Sequence, residues 1–322
     1  MGDPRHFSVR GGANPHTRNL LGIRKRVDPE RARRQWHDLA RALIAHGVAI
    51  FVIDPDPALP GLVYPANAGF RYPASGPESL VYLANLIPTR AAEREVYRRF
   101  LRAMGFATRD IMHRFEGEAD FFPAGRFMIF THGAIERQRF VPRLGIPPWR
   151  RIYGFRSDLG ALDELRQITV DRPILELELI LEAHYHGDTV LASFGPEREF
   201  LLAYMPGLAP VSRDRLRVEF GSNLIELSER DGAIYAANSF QTDYRGGLHL
   251  FLPEGVSNDL IRRVRERGVE PILIDASEFL AKGGGSIKCM IFDLGQISDL
   301  PAAPSALEFR NRRSYAKLYP TA

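Results

Sequence analysis

Apolar and polar residues along the chain alternate between the period of a helix and that of a strand. The run from Asp28 to His46 has helical spacing, and its apolar face is formed by Trp36, Leu39, Leu43 and Ile44. The apolar run from Val48 to Ile53, directly after Gly47, predicts a buried strand. Helix followed by strand is the pattern of an α/β fold.

The same patterns predict further elements down the chain. Helices are expected over 89–104, 158–166 and 257–268, and strands over 127–130, 174–183 and 271–274. The loops are short and no low-complexity linker interrupts them, so residues 1–322 are predicted to form one domain. Blocks of strand, helix and strand recur, which indicates a pseudo-repeated α/β unit.

Composition and charge narrow the class of protein. Hydrophobic residues make up 45% of the chain and charged residues 25%, an ordinary globular balance. No apolar run reaches the roughly 20 residues of a membrane span, and residues 1–6 lack the apolar core of a secretory signal. The net charge of +4 is mild, so the basic clusters, including Arg310 to Arg313, are interpreted as solvated faces. We therefore expect neither a membrane nor a nucleic-acid partner.

Cys289 is the one cysteine in the sequence. A single thiol excludes an internal disulfide and fits a reducing compartment, so a cytoplasmic protein is expected. Three glycines, Gly283 to Gly285, let the backbone turn tightly before it, and the apolar residues after it predict a strand. Lys288 is expected to favour the thiolate, which is the nucleophilic form. The alternative is a structural cysteine in the core.

A second polar cluster, His184 to Asp188, follows the strand predicted over 174–183, where α/β sites form. One interpretation is acid/base chemistry by His186, with Asp188 binding a cation. The other is a metallohydrolase whose ligands would be His184, His186, Asp188 and His249. Thr189 stands where metallohydrolases of this pattern place a further histidine, which argues against the metal.

Three carboxylates, Glu116, Glu118 and Asp120, lie within five residues between Phe115 and Phe121. Acids in an apolar frame suit a bound cation, which offsets the cost of burying their charge, although a solvated turn is the alternative. A nucleophile, an acid/base and a cation-binding set together fit attack on a guanidinium. That group is planar and permanently charged, and it pairs readily with carboxylates.

The order of these segments resembles the guanidino-group-modifying enzymes (the pentein superfamily), most closely arginine dihydrolases and dimethylarginine dimethylaminohydrolases. The resemblance runs from residue 6 to about 294. It is carried by Asn14-Pro15, Tyr64 to Gly69, Phe115 to Asp120, Tyr153 to Ser157, Tyr185 to Thr189, and Glu278 to Leu280 followed by the glycine run and Cys289. Each motif is weak alone, and six in order make a specific signal.

The resemblance implies a fivefold pseudosymmetric α/β propeller with the substrate in its central channel. It also implies a covalent amidino-thioether on Cys289, with His186 as the proton donor and Glu116 as its partner. Substrate contacts are implied for Asp188, Asn67, Asn14, Arg156 and Asp120, with Arg90 as a substitute carboxylate-binding residue. No cofactor and no metal are implied. The expected partner is a small guanidino substrate, and formation of a homo-oligomer is left open.

The expected function is hydrolysis of guanidino C–N bonds in arginine or an arginine derivative. Dihydrolase or deiminase action comes first, dimethylarginine hydrolysis second and amidinotransfer third. Two residues depart from the family pattern. Gly61 replaces an aspartate that helps to bind the guanidinium, and Asn85 replaces a second carboxylate-binding arginine. Because of these departures, the alternative is a protein that keeps the fold and binds a ligand but has lost efficient catalysis. A basic extension from about residue 303 also runs past the usual end of relatives.

Overall fold

Four three-stranded sheets repeat one topology in the computed structural model, which describes residues 1–10, 14–19, 21–76, 78–136, 139–143, 146–297 and 302–320. In each sheet two strands form an antiparallel pair, and a third joins the second in parallel. The four sheets are β1 (Gly69–Tyr72), β2 (Leu80–Leu83) and β3 (Ala107–Asp110); β4 (Phe121–Ala124), β5 (Phe127–His132) and β8 (Ile174–Glu178); β9 (Leu191–Phe194), β10 (Phe200–Ala203) and β11 (Leu224–Glu226); and β12 (Phe240–Tyr244), β13 (Gly247–Pro253) and β14 (Val269–Ile274). A separate hairpin consists of β6 (Arg139–Arg143) and β7 (Ile146–Ile152). The predicted α/β class is confirmed.

One helix crosses between the second and third strand of each sheet, as a parallel connection requires. The described helices are α1 (Pro29–Ala45), α2 (Glu93–Ala103), α3 (Ala161–Ile168), α4 (Pro210–Phe220), α5 (Glu229–Ala233), α6 (Asn258–Arg265), α7 (Ser277–Gly283), α8 (Pro304–Arg313) and α9 (Tyr315–Leu318). The predicted helices correspond to α1, α2, α3 and α6. The side chain of Asp28 caps α1 by accepting from the backbone N–H groups of Glu30 and Arg31.

Three predicted strands differ from the structure. Residues 48–53 form only single bridges, from Phe51 to Ser314 and from Ile53 to Gly2, because their backbone groups bond to both chain ends. The strand expected over 174–183 ends at Glu178, and a 3-10 turn follows. Cys289 lies in a 3-10 turn rather than at a strand start, since its N–H donates to the side chain of Asn238 instead of to a neighbouring strand.

A tight turn precedes the first strand of every sheet. The 3-10 turns Pro65–Ala68, Gly117–Ala119 and Gly187–Thr189 lead into β1, β4 and β9, and the segment that carries Asn238 leads into β12. Lys288–Met290 is a similar turn. These turns meet closely: a Cβ on Gly117, where φ is +64°, would lie 2.6 Å from the backbone nitrogen of Gly69. Most of the motif residues therefore meet at one place.

The apolar face of α1 supports the segment that carries the cysteine. Trp36, Leu39 and Leu43 pack in one buried cluster with Phe279 and Cys289. Ile44, which was expected on the same face, is 40% exposed. Among the residues that the structure describes, no helix is both long and apolar enough to cross a bilayer.

The basic C-terminal extension packs against the body of the protein. The side-chain Nε of Arg313 donates to the carbonyl of Val52 at 2.7 Å, and the Tyr315 N–H donates to the carbonyl of Ile50 at 2.8 Å. Arg310 and Arg313 are buried, so their interpretation as a solvated face is wrong. Residues 321 and 322 of this extension lie outside the described residues. The extension completes the hydrogen bonding of residues 50–53.

Replacing Arg313 by Met is expected to lower the free energy of unfolding by about 1–3 kcal/mol, because the carbonyl of Val52 loses its charged donor. Denaturant unfolding followed by circular dichroism measures the change. Lys317→Met is the matched control, since Lys317 is exposed on the same extension. Equal stability of the two variants would contradict the supporting role of the extension.

Candidate active site

Side chains from distant segments surround Cys289, which is 4% exposed. Its Sγ lies 3.1 Å from Nδ2 of Asn238 and 3.4 Å from Oδ2 of Asp188. The glycine run before it packs against Tyr64 and Tyr185, and a Cβ on Gly283 would lie 1.9 Å from the Tyr64 hydroxyl. The absence of side chains in this run is therefore a packing requirement.

Asn238 is a central residue that the sequence analysis missed. Its Oδ1 accepts from the N–H groups of Ser286 and Cys289, at 3.1 and 3.2 Å. Its Nδ2 donates to the Asp188 carbonyl and approaches the sulfur. The segment Ala236 to Ser239 carries no motif, and one signal was available in the repeat: Asn238 precedes β12 by two residues, as Asn67 precedes β1.

The environment of Cys289 holds the sulfur as a thiol in the free protein. Burial raises the pKa of Cys289 well above its ordinary value, and the negative charge of Asp188 raises it further. The expectation that Lys288 would favour the thiolate is wrong. The Lys288 Nζ instead donates to Oε2 of Glu118 and to the carbonyl of Ile291.

His186 and Glu116 form a fully buried pair. The imidazole Nε2 lies 2.8 Å from Oε2 of Glu116, and the two side chains are 3% and 1% exposed. Burial raises the pKa of Glu116, but the hydrogen bond and charge of His186, together with Arg156 and Arg90, outweigh it and lower this pKa to about 2. Glu116 is therefore a permanent anion beside the imidazole.

Asn67 is held in one orientation beside this pair. Its Oδ1 accepts from Nη1 of Arg90 at 2.8 Å, so its Nδ2 faces Glu116 and His186, at 3.3 and 3.2 Å. Arg90 also donates to both carboxylate oxygens of Glu93 and to the carbonyl of Gly61. The guanidinium of Arg90 thus holds Glu93 and Asn67, and its expected binding of a substrate carboxylate stays a prediction.

Asp188 lies beside the sulfur with its second oxygen unpaired. Oδ2 contacts Cys289, whereas the buried Oδ1 has no hydrogen-bond partner among the described residues. Burial raises the pKa of Asp188 to about 6, although His186 and Lys288 oppose this shift. An anion with a spare acceptor oxygen suits a cationic N–H donor.

Asp120 and Glu118 serve the neighbouring loops. The oxygens of Asp120 accept from Thr131, Ser157 and the Gly187 N–H, at 2.6–2.9 Å. These bonds hold the His186 loop in position, and the direct substrate contact expected of Asp120 stays a prediction. Glu118 pairs with Lys288. Of the three clustered carboxylates, Glu116 faces the cavity described next.

A cavity of about 220 Å³ opens onto the His186–Glu116 pair of this centre. Its lining includes Asn14, Arg90, Glu116, Arg156 and His186. Nδ2 of Asn14 donates to the Gly283 carbonyl at 2.8 Å, so Asn14 fixes the glycine run. Arg156 is buried, with its guanidinium carbon 4.8 Å from the centre of the Tyr185 ring. All nine predicted site residues thus lie at or next to one centre.

The residues proposed for a metal site are not assembled. Nδ1 of His184 lies 3.1 Å from the Thr189 carbonyl, and His249 lies on β13 with its ring 4.6 Å from that of His46. Within the described ranges, no group of three or more His, Cys, Asp or Glu side chains is arranged to hold a metal ion.

Comparison with known proteins identifies relatives along nearly the whole chain, although no protein-family model matches. N(G),N(G)-dimethylarginine dimethylaminohydrolase from Mycobacterium tuberculosis is 26% identical over 294 residues, covering 91% of this chain and 84% of that protein. The substrate-bound N-terminal domain of ArgZ, a cyanobacterial arginine dihydrolase, superposes with a TM-score of 0.76 at 22% identity, over 92% of this chain and 97% of that one. A dimethylarginine dimethylaminohydrolase adduct with S-methyl-L-thiocitrulline superposes with a TM-score of 0.60 at 20% identity, over 85% and 91%. These relatives confirm the resemblance that the motifs predicted, and the solved structures show a shared fold.

Replacing Asp188 by Asn is expected to lower the pKa of the Cys289 thiol, because a negative neighbour that disfavours the thiolate is removed. Each unit of decrease gives about ten times more thiolate at neutral pH. The pH profile of alkylation by neutral iodoacetamide measures this pKa. Asp293→Asn is the matched control. A profile that moves to higher pH in Asp188→Asn would contradict the charge assignment.

Proposed function

We propose that this chain is a cysteine-dependent hydrolase of guanidino C–N bonds in arginine or an arginine derivative. The observation that carries the proposal is one buried centre that holds a thiol, a His186–Glu116 pair and an unpaired carboxylate oxygen of Asp188. A guanidinium offers N–H donors and a positive charge to the unpaired oxygen of Asp188. The relatives named for arginine and dimethylarginine chemistry support the same class.

Substrate binding activates the nucleophile. In the free protein the carboxylate of Asp188 and burial keep Cys289 protonated. A guanidinium bound between Asp188 and Glu116 brings a positive charge to the sulfur, which favours transfer of the thiol proton to the His186 imidazole. The thiolate then adds to the guanidinium carbon. His186 passes this proton to the leaving amine as the carbon–nitrogen bond breaks, and an amidino-thioether remains on Cys289.

Hydrolysis completes the reaction at the same residues. His186, now neutral, accepts a proton from water as the water oxygen attacks the amidino-thioether carbon. The carbon–sulfur bond breaks, and His186 returns the proton to the departing sulfur, so the Cys289 thiol is regenerated. Glu116 stabilises the positive charge of His186 each time the imidazole carries the proton. Nδ2 of Asn67 lies 3.2 Å from Nε2 of His186, beside this step, and the Asn67 loop resembles that of the dihydrolase branch.

The proposal extends to the architecture and setting of the enzyme. The turns before β1, β4, β9 and β12 bond to one another through Asn67, Asp120 and Asn238, which supports a closed fivefold propeller around the site. Residues 1–322 then form one domain. The buried free thiol of Cys289 fits a cytoplasmic enzyme.

Incubation with arginine, methylated arginines, agmatine and guanidinoacetate is expected to give hydrolysed products from at least one of them. Mass spectrometry of the products separates loss of one ammonia, of two ammonias and of a methylated amine. Cys289→Ser is expected to lose on the order of a thousandfold or more in rate, because the covalent step is removed.

Intact-protein mass spectrometry with a haloacetamidine supplies the second measurement, since this cationic reagent alkylates the thiol without turnover. Ser286→Ala is the matched control, because Ser286 lies in the same loop and its hydroxyl has no hydrogen-bond partner among the residues that the structure describes. Full activity in Cys289→Ser would disprove the cysteine mechanism. Neither product nor adduct would favour a binding protein.

A further inference from the structure

The outer walls of the active-site cavity carry more positive than negative charge. Four cationic side chains line it, namely Arg10, Arg90, Arg156 and Lys282. Within the part of the chain that the structure describes, the lining carboxylates are Glu93 and Glu116. The remaining wall is largely apolar, with Phe7, Val9, Leu59 and Ile87. Beyond Glu116, the lining therefore consists mainly of cationic and apolar side chains.

Both lining carboxylates are already engaged. Glu93 is 2% exposed and accepts from Arg90 through both oxygens and from the Tyr97 hydroxyl. Glu116 accepts from His186 and from the Ile87 N–H, and its pKa of about 2 reflects charges that it already neutralises. Within the described lining, no carboxylate is left to pair with an ammonium group on the substrate tail.

Neither of the two departures from the family pattern supplies a charged side chain to the cavity, since one is Gly61 and the other is Asn85. A Cβ on Gly61 would lie 2.2 Å from Oε1 of Glu93 and 2.9 Å from Nε of Arg90, so this ion pair fills the space beside Gly61. Asn85 donates to the Met112 carbonyl and accepts from Arg94. The nitrogen and the oxygen of the Asn85 side-chain amide are thus both used outside the cavity.

The cationic side of the cavity suits an anion. The buried Arg156 is close enough to Glu116 to help to lower its pKa, and Arg10 at the mouth is exposed. Lys282 also lines the cavity, although its Nζ lies 3.8 Å from Oε1 of Glu278 and donates to the carbonyl of Arg26. A carboxylate tail gains from these charges, whereas an α-ammonium group is repelled by them.

We propose that the preferred substrate is a guanidino carboxylate without an α-ammonium group, such as an Nα-acylated or desamino form of arginine. This inference rests on the proposed function and narrows its substrate class. The guanidinium lies against Glu116 and Asp188, and the carboxylate faces Arg156. The uncharged α-position lies against the apolar wall.

The test compares kcat/KM for arginine, Nα-acetylarginine, 5-guanidinopentanoate and agmatine. Nα-Acetylarginine and 5-guanidinopentanoate are expected to exceed arginine by about tenfold or more, the scale of one charged hydrogen bond. Agmatine, which has no carboxylate, is expected to be the poorest. A kcat/KM for arginine equal to or above those of the two analogues without an α-ammonium group overturns the inference while it supports the hydrolase. No turnover of any compound, with no haloacetamidine adduct on Cys289, overturns the hydrolase itself.

Charge changes at the cavity mouth provide a second test. Arg10→Glu is expected to reduce the preference for Nα-acetylarginine over arginine by several-fold, because it replaces a cation by an anion on the exposed lining. Ala58→Asp, also on the exposed lining, is expected to act in the same direction. Arg230→Glu, outside this lining, is the control. An unchanged ratio in both lining variants overturns the electrostatic basis of the inference.

Discussion

The site depends on one side-chain amide. Asn238 is fully buried, its oxygen accepts two backbone N–H groups of the Cys289 loop, and its nitrogen donates to the loop of Asp188. Sulfur and carboxylate are therefore held at a fixed separation although they are 101 residues apart in sequence. Hydrogen bonds of a buried amide are strengthened by the low local dielectric. A residue of the same shape that lacks either the donor or the acceptor of this amide cannot replace it.

One acidic group of the centre, Glu116, is always ionised, whereas Asp188 and Cys289 can change their protonation state. Glu116 stays ionised because His186 and two arginines surround it, whereas Asp188 and Cys289 are protonated more readily because burial dominates. The Glu116 carboxylate holds the imidazole of His186 in place. The protonation states of Asp188 and Cys289 change when a cation binds beside them. Neighbouring residues in one apolar core thus differ in charge state because they differ in partners.

The sequence motifs located the candidate site residues more accurately than the apolar patterns located the strands. Cys289, His186 and Glu116 were named because their chemistry is visible as residue type, and the repeated α/β pattern was visible as periodicity. Asn238 was missed because its role arises from contacts across the fold, which no local spacing encodes. Residues 48–53 look like a strand by composition, yet their hydrogen-bond partners are the two chain ends. Likewise, the basic tail looks solvated until Arg313 is seen to donate to Val52.

The ion pair beside Gly61 couples residues that are apart in sequence. The carboxylate of Glu93 occupies the volume that a side chain at position 61 would need, so an aspartate fits there only if Glu93 also moves. Moving Glu93 would remove the counter-ion of Arg90 and release the orientation of Asn67. Substitutions at positions 61, 67, 90 and 93 are therefore not independent, and the effect of a change at one of them depends on the residues present at the others.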